Sequence, residues 1–427
     1  MSPGHYDDPV TQLLDGVPPR ALADRCPGLL RAHRAEDGAL VRLRLPGGQT
    51  DAATLLELSR ISTDLGEGSV QLTSRGNLQL RGLDESRLSE LVQRVSDLGL
   101  LPSVTHERVR NIVASPLTGL DAGAATAGLD AGAARLGGLG GLDTLAPPQT
   151  GSGCEPRPDL RPLVRELDRA LCAAPELAEL PGRFLFALDD GRGDVLTLGF
   201  DLALLATGPR TGVLLTGGSP LGVPVALADA VDLLVELARR FVRARAGMTP
   251  PPWHVAELVD AAVLDPRLSP GTPLPAGGAP RLGAVAGAAS VGVPLSLLDR
   301  RQIVAVDAAA RGGGVVVTPW RGLVIPGAAG ALGTLAEAGL VVAEDSPWSA
   351  VTACIGAPGC AKSAISTRDL ATDIVRALRK PPAQPVHLTG CVRRCGAPAT
   401  EHVALVAPES LGSALAQIRR AEGGSRR

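Results

Sequence analysis

A chain of 427 residues with 45% hydrophobic and 20% charged residues is too long for one simple core and carries enough apolar material for two or more. A formal net charge of -2 excludes a whole-molecule field that would draw it to nucleic acid or to an anionic membrane. Aromatic residues make up only 2%, which argues against base-stacking platforms and leaves the cores to Leu, Val and Ala.

No window approaches the uninterrupted apolar length of a membrane span. Residues 1–19 are acidic and Pro-containing rather than apolar, unlike a signal peptide. The expected location is therefore the cytoplasm, with the seven cysteines reduced or metal-bound.

In chain order, residues 1–25 read as a loose leader, and structure is expected from Cys26-Pro27-Gly28 onward. Ala39–Leu45 alternates Leu40, Arg42 and Arg44 with Val41, Leu43 and Leu45, which predicts a half-buried strand ending in the Pro46-Gly47-Gly48 turn. A helix is predicted from Asp51, with Leu55, Leu58, Ile61 and Leu65 inward. The stretch Val70–Gly82 then alternates again. Read as a strand, it puts Val70, Leu72, Leu78 and Leu80 on one face and Gln71, Thr73, Arg75, Asn77, Gln79 and Arg81 on the other. Two readings of the polar face stay open: a solvated edge, or a wall for a polyanionic ligand. Leu88, Leu91, Val92, Val95 and Leu98 predict an amphipathic helix.

Arg108–Gly119 adds Arg110 and Asn111 beside a turn, and residues 120–153 form a Gly/Ala-rich, partly repetitive insertion. Helix is predicted for 160–173, and a strand running into a turn for 180–191. Paired strands are expected at 195–205 and 211–215. A helix over 227–244 should turn Val231, Leu234, Val235, Ala238, Phe241 and Val242 inward. The Pro-rich stretch 247–280 reads as a linker. Beyond it, Val315–Gly327 aligns without a gap on Val70–Gly82, with identity at Val70, Thr73, Leu78 and Gly82, and the order of flanking elements is also repeated. Two related halves facing one another follow, with a ligand between them.

Near the C-terminus, Cys354 and Cys360 are followed by Cys391 and Cys395. Four thiolates make a soft site suited to zinc or to an iron-sulfur cluster. Gaps of five and three residues, with Gly and Pro in the loops, favour [4Fe-4S] over a zinc knuckle, and a disulfide pair or buried thiols is the remaining reading. Cys26, Cys154 and Cys172 read as free thiols. His5, His33, His106, His254, His387 and His402 are dispersed and read as surface or core residues.

The Thr73–Gln79 strand, the Arg110-Asn111 turn and the Cys-x5-Cys…Cys-x3-Cys ending together resemble the sulfite and nitrite reductase superfamily, from about Cys26 to Pro408 apart from the insertion. The resemblance implies an α+β fold of two pseudo-symmetric halves, each a ferredoxin-like half-domain plus a reductase-type α/β domain. The implied boundaries are 20–100, 101–246, a linker at 247–280, 281–346, and a cluster-binding half at 347–427. It also implies a [4Fe-4S] cluster on Cys354, Cys360, Cys391 and Cys395 beside a tetrapyrrole. Reductases of this superfamily carry two lysines, spaced two apart, where this chain has Arg183 and Leu185. A leucine neither neutralises a small oxyanion nor delivers a proton.

That departure points to a branch of the superfamily in which the tetrapyrrole, precorrin-3A, is the substrate of an oxygen-dependent monooxygenase. Arg25-Cys26-Pro27-Gly28, Thr318–Gly322 and Gly182–Gly191 support this branch. By that resemblance Arg75, Asn77, Gln79, Arg81, Arg110, Asn111, Arg183 and Arg321 bind substrate carboxylates. Dioxygen is the co-substrate, a separate protein or reductase donates electrons, and a mononuclear non-haem iron accompanies the cluster. The alternatives are a sirohaem-dependent sulfite or nitrite reductase and a non-catalytic four-cysteine metal protein.

Overall fold

The computed structural model describes residue 24 and residues 26–120, 156–258, 260–269, 273–398 and 400–424. Most of the leader, His5, Arg25, Cys154 and nearly all of the Gly/Ala-rich insertion lie outside the described residues.

The chain opens with β1 (His33–Ala35), β2 (Gly38–Leu43) and β3 (Gln49–Asp51) before α1 (Ala52–Leu65). Asp51 starts that helix by accepting a hydrogen bond from the Thr54 amide at 2.7 Å, which satisfies one of the donors left free in the first turn. Leu55, Leu58 and Ile61 are wholly buried, each contributing about 1.5–3 kcal/mol by leaving water. β4 (Val70–Leu72), β5 (Leu78–Leu83) and α2 (Leu88–Asp97) follow, with Leu91 and Val95 of α2 inward.

Val70–Gly82 is a hairpin rather than one strand. Thr73 accepts the Asn77 amide on its Oγ1 at 3.1 Å, and Gly76 takes φ +64, so the chain reverses within five residues. Cross-strand partners share a face, so Leu72 opposite Leu78 and Gln71 opposite Gln79 keep the expected sidedness. The 39–45 strand is buried on both faces, not half-buried: Arg44 is only 3% exposed, lying under the carbonyls of Pro27 and Arg108.

Next come β6 (Ile112–Ala114), α3 (Arg161–Ala173), β7 (Phe186–Asp189), β8 (Leu202–Ala206), β9 (Thr211–Thr216), β10 (Gly222–Ala226) and α4 (Ala230–Ala246), whose predicted inward residues are all buried. β6, β7 and β8 are parallel, and β9 and β10 extend the sheet antiparallel. The strand expected over 195–205 starts only at Leu202. Val195–Leu198 is a 3-10 turn, and the Asp194 carboxylate accepts the Val195 amide at its start.

The remainder repeats this order with β11 (Gly283–Val285), β12 (Ala288–Gly292), β13 (Leu297–Leu298), α5 (Arg300–Ala310), β14 (Gly314–Val317), β15 (Gly322–Ile325) and α6 (Leu332–Glu337). A second parallel triplet, β16 (Val351–Ala353), β17 (Val386–Thr389) and β18 (Val403–Val406), alternates with α7 (Thr367–Ala377) and α8 (Leu411–Gly424).

The two halves exchange strands. One antiparallel sheet runs β1-β2-β5-β4-β13 and the other β11-β12-β15-β14-β3, so each takes its last strand from the other half. A single apolar core, with members from both halves, lies behind the two sheets. The turn ahead of each exchanged strand has the same left-handed form: Gly47 and Gly48 in one, Leu295 and Ser296 in the other. The two hairpins also match. Thr318 accepts the Gly322 amide at 3.1 Å as Thr73 accepts that of Asn77, and Arg321 takes φ +61 where the first copy has Gly76. Among the described residues no helix is long and apolar enough to cross a membrane.

A Cβ on Gly48 would run into the carbonyl oxygen of Val317 across the exchanged strands, whereas one on Gly68, also at positive φ, meets nothing within 4 Å. Gly68→Ala should cost about 1 kcal/mol of backbone strain, and Gly48→Ala about 3 kcal/mol or more, by urea denaturation of the purified protein. Equal losses would show that the strand exchange is not tightly packed at this point.

Candidate functional site

The exchange brings the two hairpin tips to one place. Between them is a cleft of about 920 Å³, near the top of the range of about 300–1,000 Å³ usual for small-molecule sites. Ser74 and Arg75 come from the first tip and Thr318–Gly322 from the second. Leu185 and Leu198 form an apolar part of the wall, and Thr352 and Gly396–Pro398 come from the cysteine-bearing half. The loop following Cys395 therefore borders the same space as the arginine tips.

Arg75 is the charged residue of the first-half wall. Arg75 Nη1 donates to the Arg183 carbonyl at 2.8 Å, and the Arg183 guanidinium lies 4.9 Å from the centre of the Trp253 ring, a cation–π contact. Burial, with Arg183 nearby, lowers the pKa of Arg75, and burial does the same to Arg321. Arg42 and Arg44 join this group, although the sequence expectation did not count them. Their signal was the alternation that sets them apart from Val41 and Leu43. Nε of Arg42 and both Nε and Nη1 of Arg44 are buried with no hydrogen-bond partner. Burial, then the neighbouring charge of Arg42, pushes Arg44 down to about 9, so it is still a cation at neutral pH. Among the described residues no carboxylate lies within ion-pair distance of Arg42, Arg44, Arg75, Arg183 or Arg321. Of these, Arg44 is buried, Arg42, Arg75 and Arg321 are half-buried and Arg183 is exposed.

Other residues expected to bind substrate have protein partners instead. Arg81 forms a bidentate pair with Asp37 at 2.7 and 2.9 Å and donates to the Gly359 carbonyl at 2.9 Å, tying the first sheet to the Cys354–Cys360 loop. Arg110 is fully engaged by Asp168 at 2.6 and 2.7 Å. Asn77 accepts the Leu45 amide, Asn111 donates to the Arg108 and Gly182 carbonyls, and Gln79 bridges Arg42 and Gln71. They differ from the expectation because each sits under a neighbouring segment where a backbone group or carboxylate needs a partner.

The four C-terminal cysteines cluster at the carboxyl ends of parallel strands. Cys354 follows β16 directly, its sulfur accepting the Gly390 amide at 3.4 Å, and its carbonyl accepts the Thr367 hydroxyl at 2.7 Å. Burial and the charges of Cys391, Cys354 and Cys360 raise the pKa of the Cys395 thiol, so the four sulfurs are close enough to sense one another. Yet among the described residues no three His, Cys, Asp or Glu side chains converge where one ion could sit. Four thiols on loops at the ends of adjacent strands are a donor set that either a [4Fe-4S] cluster or a four-cysteine zinc site uses. The same absence leaves the expected mononuclear iron without a ligand set among these residues. Cys26 and Cys172 are free thiols.

Two histidines also belong to this region. Asp201, 2% exposed, accepts the Leu185 and Val255 amides at 2.8 Å each and holds His254 Nδ1 at 3.2 Å. His387 is buried behind the Cys391–Cys395 turn. His106 is a core residue that bonds the Ala174 carbonyl.

The comparisons with known proteins agree with this architecture. Residues 32–98 match the nitrite/sulfite reductase ferredoxin-like half domain. The solved structure of the Mycobacterium tuberculosis NirA protein superposes with a TM-score of 0.54 at 21% identity, covering 83% of this chain and 68% of that one. The fold is of the sulfite/nitrite reductase type, and one half-domain matches that family's model. Ferredoxin–nitrite reductase from Synechococcus elongatus is 38% identical, but over only 19% of this chain and 17% of its own. Along nearly its whole length the chain resembles precorrin-3B synthase from Sinorhizobium sp, at 25% identity over 91% of this chain and 81% of the relative.

Replacing Arg44 with Met removes an unpaired buried charge while keeping apolar bulk. The free protein should gain about 1–4 kcal/mol in urea unfolding, and affinity for a polycarboxylate tetrapyrrole such as uroporphyrin should fall at least about 10-fold. Loss of stability with unchanged affinity would assign Arg44 a purely structural role.

The hydrogen bond from Asp201 raises the pKa of His254 above its ordinary 6.5. The stability this contributes is present below the unfolded value and is lost as pH rises through the folded one. NMR titration should therefore place His254 above 6.5, and Asp201→Asn should lower the midpoint, because burial and Arg75 are then opposed only by Glu257.

Proposed function

We propose that this chain carries out the precorrin-3B synthase reaction, an oxygen-dependent monooxygenation of precorrin-3A in aerobic cobalamin biosynthesis. The observation that carries this reading is Arg75 and Arg321, half-buried and without counter-ions among the described residues, on a cleft that also touches the loop after Cys395. Precorrin-3A is a tetrapyrrole ringed by carboxylates. Arg75 and Arg321 would grip them from the two hairpin tips, with Arg183 beside Arg75 and Arg42 and Arg44 off the cleft wall, through charge-assisted and bidentate bonds. Arg81, Arg110, Asn77, Asn111 and Gln79 hold the frame that positions these cations.

In the reaction one oxygen atom of dioxygen enters as the C20 hydroxyl and the ring A acetate closes a lactone onto C1. The other oxygen atom leaves as water, using two electrons from a separate donor protein or reductase. Cys354, Cys360, Cys391 and Cys395 would hold a [4Fe-4S] cluster in the 347–427 half, and the cluster supplies single-electron transfer when bound. Thiols kept reduced in this way suit the cytoplasm. Leu185, 2% exposed, supports this reading over reduction of sulfite or nitrite, because it presents methyl groups to the cleft where oxyanion chemistry needs charge and a proton.

The test is anaerobic purification with iron, sulfide and tetrapyrrole analysis, then precorrin-3A added in air. About four irons and four sulfides, no sirohaem, and an oxygen-dependent gain of one oxygen atom by mass are expected. Bound sirohaem with turnover of sulfite or nitrite would replace this reading with the reductase, and zinc without iron would reduce it to a metal-binding role.

A further inference from the structure

His387 lies on β17, between the strand that leads to Cys354 and the turn that carries Cys391 and Cys395, and is 1% exposed. Both ring nitrogens are engaged. Nε2 is 3.1 Å from the carbonyl oxygen of Cys395, and Nδ1 is 2.9 Å from Oγ1 of Thr352. A carbonyl only accepts, so Nε2 must carry hydrogen, and in the neutral ring Nδ1 is the nearer acceptor for the Thr352 hydroxyl, whose other acceptor is the Val386 carbonyl at 3.3 Å.

Thr352 is part of the cleft wall. An unbroken path thus runs from the cleft through the threonine hydroxyl and the imidazole to the main chain of a cysteine. Arg321, at the second hairpin tip, closes over the same point: a Cβ built on Gly396 would lie 3.7 Å from its guanidinium and 3.8 Å from the His387 ring. The turn itself has few other ties. Arg394 takes φ +49 and Gly396 φ +80, and Cys395 is exposed. Among the described residues, the bond from His387 is the one side-chain hydrogen bond that reaches residues 392–396.

We propose that His387 is a positioning residue that fixes Cys395 and couples it, through Thr352, to whatever occupies the cleft. This rests on the reading of Cys354, Cys360, Cys391 and Cys395 as cluster ligands. A ligand that takes the Thr352 hydroxyl or draws Arg321 inward would change the hydrogen bond at the Cys395 carbonyl, and with it the electrostatic setting of that sulfur. Cleft occupancy would then be felt by the cluster without direct contact.

The experiment uses the full chain with its cluster reconstituted, as wild type, His387→Leu, His387→Gln and Thr352→Val, with uroporphyrin III as the cleft probe. Readouts are the cluster's midpoint potential, its reduced EPR spectrum, and the rate at which a chelator removes iron. In wild type, uroporphyrin should shift the potential. His387→Leu should change the EPR spectrum, lose iron about 10-fold faster, and abolish the uroporphyrin shift. His387→Gln, whose amide can still donate to the Cys395 carbonyl, should restore the slow iron loss. Thr352→Val should leave iron loss near wild type but remove the shift. Should His387→Leu fail to hold iron at all, Thr352→Val and His387→Gln decide. A wild-type shift and spectrum in His387→Leu, or a shift that persists in Thr352→Val, would overturn the proposal. A wild type that assembles no cluster would overturn the assignment of the cysteines first, and this proposal with it.

Discussion

The strand exchange between the halves is the constraint on which the rest depends. Leu297 and Leu298 pair with Gln71 and Val70, while Gln49, Thr50 and Asp51 pair with Val316, Val315 and Gly314. Neither antiparallel sheet is complete without the other half, and their helices share one core. Rigid-body freedom between the halves is lost as a result. The two hairpin tips, far apart in sequence, are held at a fixed separation across the cleft. A site that needs arginines from one copy and a cysteine loop from the other can be preorganised only if the copies cannot drift.

Within that frame, charge is distributed unevenly. Arg81 and Arg110 are neutralised by Asp37 and Asp168 and serve the fold. Arg42, Arg44, Arg75, Arg183 and Arg321 have no such partners among the described residues, and those that are buried destabilise the free protein. Under the proposed function a bound polyanion would offset that cost, which would link ligand binding to folding stability. Arg81 joins the two systems, because its second contact is the carbonyl of Gly359 in the cysteine loop.

Much of this was legible in the sequence. Periodicity located α1, α2, α3 and α4, and the inward faces of α1, α2 and α4, and the paired cysteines stood out by spacing alone. The repeat of Val70–Gly82 at Val315–Gly327 foretold two hairpins of one kind, although the turn inside each was not recognised. The sidedness survived that error because a tight hairpin keeps opposed residues on the same face. Identifying the liganding arginines was harder. The partner of Arg110 is 58 residues away, a distance at which sequence pattern says nothing about pairing. Arg42 and Arg44 looked solvent-facing because nothing in their own strand revealed that Pro27 and Arg108 would cover them. His254 and His387 were passed over for the same reason: their partners, Asp201 and Cys395, meet them only in the fold.

The parallel triplets show how far the copies have diverged. Where the second has Cys354 at the end of its first strand, the first half has Ser115, hydrogen-bonded to the buried Asp194. The hairpin tips diverged in the opposite sense. At the left-handed turn position the first copy keeps glycine, which adopts φ +64 freely, while the second holds Arg321 there at φ +61. Selection for thermal tolerance alone would restore glycine at that position. Of the side chains that the second copy holds in left-handed turns where the first has glycine, Leu295 packs against a core while Arg321 puts its backbone strain on the cleft.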